Sequence, residues 1–485
     1  MMTVPTPKAL PMSVLDALPA ADTARAAALL QPLLDKATPG HKIVVLDDDP
    51  TGVQTVHDIS VYTNWSEQAI LDGFHEPNSM FFVLTNSRSF SADKTAAEHA
   101  VMAERILAAA KETGKVPLII SRSDSTLRGH YPLETETIRA TLAKHGMELD
   151  GEVVYPFFRE GGRFTLHGIH YVQEGNKLTP AGMTEFARDK SFGYKNSHLG
   201  KWCEEKTGGA YRAENMIYID IDELRAGDVD AIAEKLRGVT GFNKVIVDSA
   251  DYTDTMIFTA ALLRVMAEGK RFLFRTAAAL PKILGGVTDR PLLTRNDITD
   301  SDDRHGGFII VGSHVNKTTR QMEQLKQCRC PVEFVEFNQH LVLTPGGLEQ
   351  EAIRVSTLAD QLIRSGKTVA VYTRRDRFDL PDDAGPEEQL RVSVEISDAV
   401  SSVVARLTVR PAFLIAKGGI TSSDVGTKAL QVYRATVMGQ VLPGIPVWRT
   451  GAESKFPGMP YVIFPGNVGN DDSLRVIVEN FMDHG

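Results

Sequence analysis

"VVLDDDPTGVQTV", residues 44–56, ends a β-branched run in three consecutive carboxylates, followed by a proline, a threonine and a glycine. Read at alternate positions, Asp47, Asp49 and Thr51 offer a nucleophilic carboxylate with an acid/base beside it, which is chemistry for removing a phosphoryl group. Read at adjacent positions, Asp48, Asp49, Thr51 and Gly52 offer a substrate-binding carboxylate and a proton acceptor for a hydroxyl, which is chemistry for installing one. In both readings an apolar strand ends in charge, where open parallel sheets bind their ligands. The rest of the chain has to decide between them.

Working outward, short apolar runs alternate with longer amphipathic stretches. "KIVVLD" (42–47), "MFFVLT" (80–85), "VPLIIS" (116–121), "GEVVYP" (151–156), "NMIYIDI" (215–221) and "KVIVDS" (244–249) predict strands. "SADKTAAEHAVMAERILAAAKETG" predicts a helix capped by Ser91 and ended by Gly114. The glycines and aromatics of "FREGGRFTLHGIHYVQEGNKLT" break the rhythm and predict a hairpin inserted within 157–200, of the kind that covers a pocket. Residues 285–307 are polar and aperiodic and mark a boundary. The alternation then resumes with "GFIIVGS", "VEFVEF", "KTVAVYT", "AFLIAKGG" and "MPYVIFPG". This pattern predicts an α/β protein of two domains with largely parallel sheets, residues 1–295 (with an arm and helix over 1–40) and 300–485.

Composition narrows the function classes. A length of 485 residues exceeds what one core usually serves, and 42% hydrophobic with 24% charged residues suits a globular protein. A net charge of -9 argues against nucleic-acid binding through a general positive field, so any anionic ligand must be held locally. No apolar run reaches bilayer-spanning length, and the first residues lack the basic-then-apolar order of a secretory signal, so a cytoplasmic protein with no membrane partner is expected. Cys203, Cys328 and Cys330 are too few for a disulfide framework and lack zinc spacing. His130, His167 and His170 read as hydrogen-bonded loop residues. No metal ligands are assigned.

The strand tips of the two halves differ in chemistry. In the second half they are rich in glycine: Gly312 and Ser313; Gly418, Gly419, Ile420 and Thr421; Gly466, Asn467 and Gly469. Backbone N–H groups at such tips, each opening a helix, suit a nucleotide phosphate cradle. A substitution at Gly419 is therefore expected to obstruct a phosphate or a positive φ. Neither a P-loop nor a Gly-x-Gly-x-x-Gly after the first strand occurs. In the first half the tips carry Asp48, Asp49, Arg88, Arg122, Asp124, Ser125, Thr126 and Arg128. Arginine forks for a carboxylate, with aspartate and hydroxyl partners for sugar hydroxyls, suit a polyhydroxy acid.

A dehalogenase-type phosphatase would use Asp47 and Asp49 with a late acidic pair. The candidate pair, Asp471 and Asp472, lies beyond the boundary, and that reading leaves "DSTLRG" and "GGITSS" without roles. The ordered motifs "DDDPTG", "SRS", "DSTLRGH", "PFFREGGR", "GSH", "GGITSSD" and "PGNVG" resemble the four-carbon acid sugar kinase family, formerly a domain-of-unknown-function family, over nearly the whole chain from Lys42. The resemblance implies an N-terminal domain for a tetronate-like acid, a C-terminal domain for ATP with Mg2+, and a site in the cleft between domains. It departs at Ser121, where many members carry Lys, at Ile420, where an acidic residue is common, and at Phe464 and Pro465, where a Lys precedes the last motif. On this reading the catalytic pair is Asp49, orienting or deprotonating the acceptor hydroxyl, and Asp48, a substrate or Mg2+ contact, two roles that the sequence alone does not separate. Asp48, Arg88, Arg122, Asp124, Ser125, Thr126 and Arg128 bind the acid, and Arg88, Arg122 and Arg128 are the candidates for its carboxylate. A non-catalytic sugar-acid sensor is the alternative from another class. A homodimer is compatible with all of these readings.

Overall fold

A computed structural model of the chain describes residues 7–299, 304–376, 378, 380, 386–466 and 468–482. Asn467, one of the nucleotide candidates, lies outside them. The chain divides into two compact units, one of Met1–Gly52 and Asn64–Asp289 and the other of Val53–Thr63 and Arg290–Gly485.

In the first unit the strands lie in the order Ile217–Ile219, Asn243–Val247, Gly151–Tyr155, Phe272–Thr276, Val116–Arg122, His41–Asp47 and Met80–Leu84, and every pairing is parallel. Continuous apolar runs make this possible, because a parallel strand covered on both faces needs no polar side. All five residues of Met80–Leu84 are buried. The helix Ala92–Thr113 begins where Ser91 Oγ accepts from the Lys94 N–H and ends where Gly114 takes φ 66°. Phe272–Thr276 is a strand that the sequence reading passes over; four residues separate it from the helix Tyr252–Ala267. Leu10–Pro11, Lys177–Pro180, Ile169–Glu174 and Arg163–Leu166 form a separate antiparallel sheet, so the inserted hairpin also captures the N-terminal arm.

The second unit holds a mixed sheet. Pro460–Phe464, Leu414–Lys417, Phe308–Val311, Thr368–Thr373 and Val332–Phe337 are paired in parallel in that order. An antiparallel hairpin of Arg434–Leu442 and Ile445–Thr450 joins at Pro460–Phe464, and Ser60–Tyr62 pairs with its outer strand. The sequence reading misses this hairpin, whose strands turn over only two residues, Pro443 and Gly444, inside one apolar stretch. It also leaves Val53–Thr63 in the first domain. The order of strands along the chain gives no sign that this segment belongs to the second unit. Among the described residues no helix is long and apolar enough to cross a membrane.

The strand missed in the sequence is a central one. Phe274 is fully buried and pairs across from both Ile120 and Val153. Phe274→Ala is expected to cost about 3–5 kcal/mol, read as a lower denaturant midpoint at unchanged slope.

Candidate functional site

The parallel sheet of the first unit brings the carboxyl ends of His41–Asp47, Met80–Leu84, Val116–Arg122 and Phe272–Thr276 to one edge. The aspartate triplet sits there in three different environments. Asp47 is buried, with Oδ1 3.3 Å from Arg122 Nη1, and burial lifts its carboxyl well above the usual range despite that arginine. Gly52 lies so close that a Cβ there would come 1.7 Å from Asp47 Oδ2, so only glycine fits against the carboxylate. Asp48 is buried and fully engaged. Arg88 donates to it through Nε (3.1 Å) and Nη2 (2.5 Å), and Ser123 Oγ donates at 2.6 Å.

Asp49 is the accessible member, with its side chain 20% exposed. Its Oδ2 lies 2.7 Å from Arg88 Nη1, and its Oδ1 accepts from the Thr51 N–H at 2.7 Å and from the Thr51 hydroxyl. Burial works to raise its carboxyl, but Arg88, Arg122 and the two Thr51 hydrogen bonds outweigh it and hold the group below its ordinary value. Asp49 is thus an ionised carboxylate within reach of solvent. Asp47, buried behind Gly52, is poorly placed to attack anything, which weighs against the phosphatase reading.

The tip after Val116–Arg122 is braced from the inserted hairpin. His170 Nε2 contacts the Ser125 carbonyl at 2.7 Å, Tyr194 donates to the Thr126 carbonyl at 2.7 Å, and Leu127 is held at φ 70°, a strained value for a bulky side chain. Asp124 accepts from Arg128 Nε at 2.7 Å and from the Thr126 hydroxyl. Burial would raise its carboxyl, yet Arg128 and Arg88 bring it far below the usual range. Arg88, Arg122 and Arg128, the three candidates for a substrate carboxylate, are therefore all engaged with protein carboxylates. Ser121, at the family's lysine position, donates to the buried Glu134 at 3.3 Å.

Two arginines were missed in the sequence. Arg275, at the end of the unpredicted strand, is 3% exposed and donates through Nη2 to the Arg128 carbonyl at 3.0 Å, while its Nε has no partner. Arg163, on the hairpin, is 8% exposed, and its Nε too is buried without a partner. Burial lowers both guanidinium groups from their ordinary value. The strand ending "FRT" gave a signal for Arg275. The motif "PFFREGGR" ends on Arg163, but nothing in it marked that residue for a ligand.

In the second unit the glycine tips adjoin. A Cβ on Gly418, which has φ 124°, would lie 3.1 Å from Ser313 Cβ and 3.2 Å from Thr421 Oγ1; one on Gly312 would lie 2.3 Å from the same Oγ1; and one on Gly466 would lie 3.5 Å from Ser313 Oγ. Gly312, Ser313, Gly418, Thr421 and Gly466 thus form one cluster. Gly419 differs from the expectation of a strained turn: it opens the helix Gly419–Asp424, and a Cβ there would meet nothing within 4 Å. Ile420 is 70% exposed. Gly469 lies apart, against Ser473, in a cleft of about 470 Å3 lined also by Lys317, Gln324, Asp471 and Asp472. Asp471 there meets Arg320 at 3.0 Å. Lys417, not singled out in the sequence, is fully buried just before Gly418. Its Nζ donates to the Pro465 carbonyl at 2.5 Å and sits 3.7 Å over the Phe464 ring. Burial, with Lys317 nearby, pulls its ammonium down to about 6.

Residues 43–284 match the Sugar-binding N-terminal domain and residues 308–474 the Nucleotide-binding C-terminal domain. Among solved structures, a candidate tRNA synthase from Salmonella typhimurium LT2 is similar at TM-score 0.61 and 17% identity, over 90% of this chain and 98% of that one. The Haemophilus influenzae protein HI1011, of the family DUF1537, is similar at TM-score 0.58 and 18% identity, over 90% and 100%. At these identities the likeness is one of fold. No curated protein matches.

Lys417 makes a pH prediction. An unfolded lysine binds its proton up to about pH 10.4, while the folded one releases it near 6. Between those values the unfolded state holds more protons, so stability rises with pH and the penalty grows as pH falls toward 6. Lys417→Met, which keeps the contact with Phe464, should raise the melting temperature at pH 7 and lose most of that advantage by pH 10. An equal gain at both values would show that the charge is not the cause.

Proposed function

We propose that this chain, whose sugar-binding and nucleotide-binding domains fit a two-domain DUF1537-type family, is an ATP-dependent kinase of the terminal hydroxyl of a four-carbon sugar acid such as threonate, erythronate or 3-oxotetronate. The observation that carries the reading is the division of labour within the triplet: Asp48 is locked by Arg88 and Ser123, whereas Asp49 is ionised and accessible. A hydroxyl beside Asp49 would give up its proton to that carboxylate as its oxygen takes the terminal phosphoryl group. Arg88, held between Asp48 and Asp49, fixes the acceptor carboxylate and leaves little to reorganise.

On the nucleotide side the open space at Gly419 and the adjoining glycine tips support a phosphate cradle built on backbone groups. Among the described residues no group of three or more His, Cys, Asp or Glu side chains is disposed to hold a metal ion. Mg2+ would therefore arrive with the nucleotide's own phosphates. Incubation with ATP, Mg2+ and a panel of four-carbon acids, with ADP and free phosphate followed separately, tests the assignment. ADP formation that depends on an acid is expected. Phosphate release from phosphorylated acids without ATP would point to the phosphatase, and acid-induced stabilisation without turnover to the sensor.

Asp49→Asn should lower turnover by roughly 100 to 10,000-fold with nucleotide affinity retained, because the two ligands are assigned to different domains. Near-normal turnover would remove Asp49 from the chemistry.

Gly419→Ala, and more strongly Gly419→Val, should raise the apparent constant for ATP while the melting temperature holds, since a Cβ there meets no protein atom within 4 Å. Unchanged nucleotide affinity in a stable variant would place the cradle elsewhere.

A further inference from the structure

Arginines from separate segments converge on the charged edge of the first unit, and most are answered. Arg88 is held by Asp48 and Asp49, Arg122 by Asp47, and Arg128 by Asp124. Arg275 is held in part by the Arg128 carbonyl. Arg163 differs, for its side chain forms no hydrogen bond or ion pair among the described residues, although it is more than nine-tenths buried. It is not a loose surface cation that happens to be covered. Its N–H donates to the Phe158 carbonyl at 2.9 Å, its carbonyl accepts from the Phe158 N–H at 3.1 Å, and its strand pairs it with Val172. The guanidinium lies 5.9 Å from the centre of the Phe186 ring, against which Arg128 also packs at 5.1 Å. The charged and titratable groups around it are Asp124, Arg128, Tyr194 and His170, which sets it beside the tip "DSTLRG".

A buried cation with no counter-charge in contact, its nearest carboxylate Asp124 being taken by Arg128, is costly, and its cost falls when an anion binds. A guanidinium with a free fork matches a carboxylate in two parallel hydrogen bonds. We propose that Arg163 binds the carboxylate of the sugar acid, so that the inserted hairpin selects acids over the neutral polyols of the same length. Arg88, Arg122 and Arg128 then serve to hold the protein's own aspartates in place. The identity of the ligand rests on the kinase reading; the binding role of Arg163 is testable apart from it.

The experiment is a titration of the full chain, without nucleotide, with threonate, erythronate and the neutral threitol, by calorimetry and by thermal shift. The wild type should bind at least one acid and discriminate against threitol. Arg163→Gln should weaken acid binding on the order of 100-fold without lowering the melting temperature of the unliganded protein, because no protein partner is lost. Arg163→Lys, which keeps the charge without the fork, should fall between them and guards against a folding failure in the first variant. Unchanged acid affinity in Arg163→Gln overturns the proposal, as does threitol binding as tightly as the acids, or binding of none of them by the wild type. A lower melting temperature with acid affinity retained would mark Arg163 as structural. Acid binding that depends on Arg163 with no ADP formed on adding ATP would sink the kinase reading and leave Arg163 standing. Turnover in Arg163→Gln at an unchanged KM for the acid would do the reverse.

Discussion

Three adjacent carboxylates at the end of a buried strand are an electrostatic liability, and the first unit is arranged around their compensation. His41–Asp47 lies between Met80–Leu84 and Val116–Arg122, and each neighbour delivers one arginine: Arg88 from the tip beyond the first, and Arg122 at the end of the second. The register is part of the device, for Asp47 stands opposite both Leu84 and Arg122. A slip of one residue in either pairing would turn alternate side chains to the other face and part the charges. The catalytic candidates are thus fixed by main-chain pairing in the sheet as much as by their own contacts.

Compensation is deliberately uneven in its effect on the three groups. Asp47 faces a single arginine at 3.3 Å and is enclosed by Gly52. Asp48 takes a fork and a hydroxyl. Asp49 takes one arginine closely and Thr51 twice, yet stays within reach of solvent. Identical side chains thereby acquire different availability from position alone, which is how neighbouring carboxylates come to hold distinct roles in a site. The strand tips of the second unit are built differently. Its adjoining tips present small residues and backbone, and the buried Lys417, next to Gly418 in the chain, is turned to the Pro465 carbonyl. Charged side chains that converge favour a ligand with specific functional groups, whereas backbone donors suit a group shared by many ligands, such as a phosphate chain.

The α/β architecture, the strands from 42–47 to 244–249 in the first half and the capped helix after Ser91 were legible in the chain, because parallel strands and amphipathic helices write their periods into hydrophobicity locally. So was the chemical contrast between charged and glycine-rich tips. Less legible were elements whose identity depends on partners. The hairpin at 434–450 carries no marked turn beyond Pro443 and Gly444. Ser60–Tyr62, three residues long, shows as a strand through pairing such as that with Arg434–Leu442.

The sequence by itself determined which residue types stand at the strand ends, since strand, tip and helix follow one another along the chain and each is set by its own neighbours. Only the tertiary structure decided how those residues divide the work. Arg88, Arg122 and Arg128 looked like free receptors for an anion until folding paired them with Asp48, Asp47 and Asp124. Arg163 looked unremarkable until the hairpin buried it without a partner. The reason is physical: the state of a charged group depends on desolvation and on charges within a few ångströms, and those neighbours come from segments far apart in the chain.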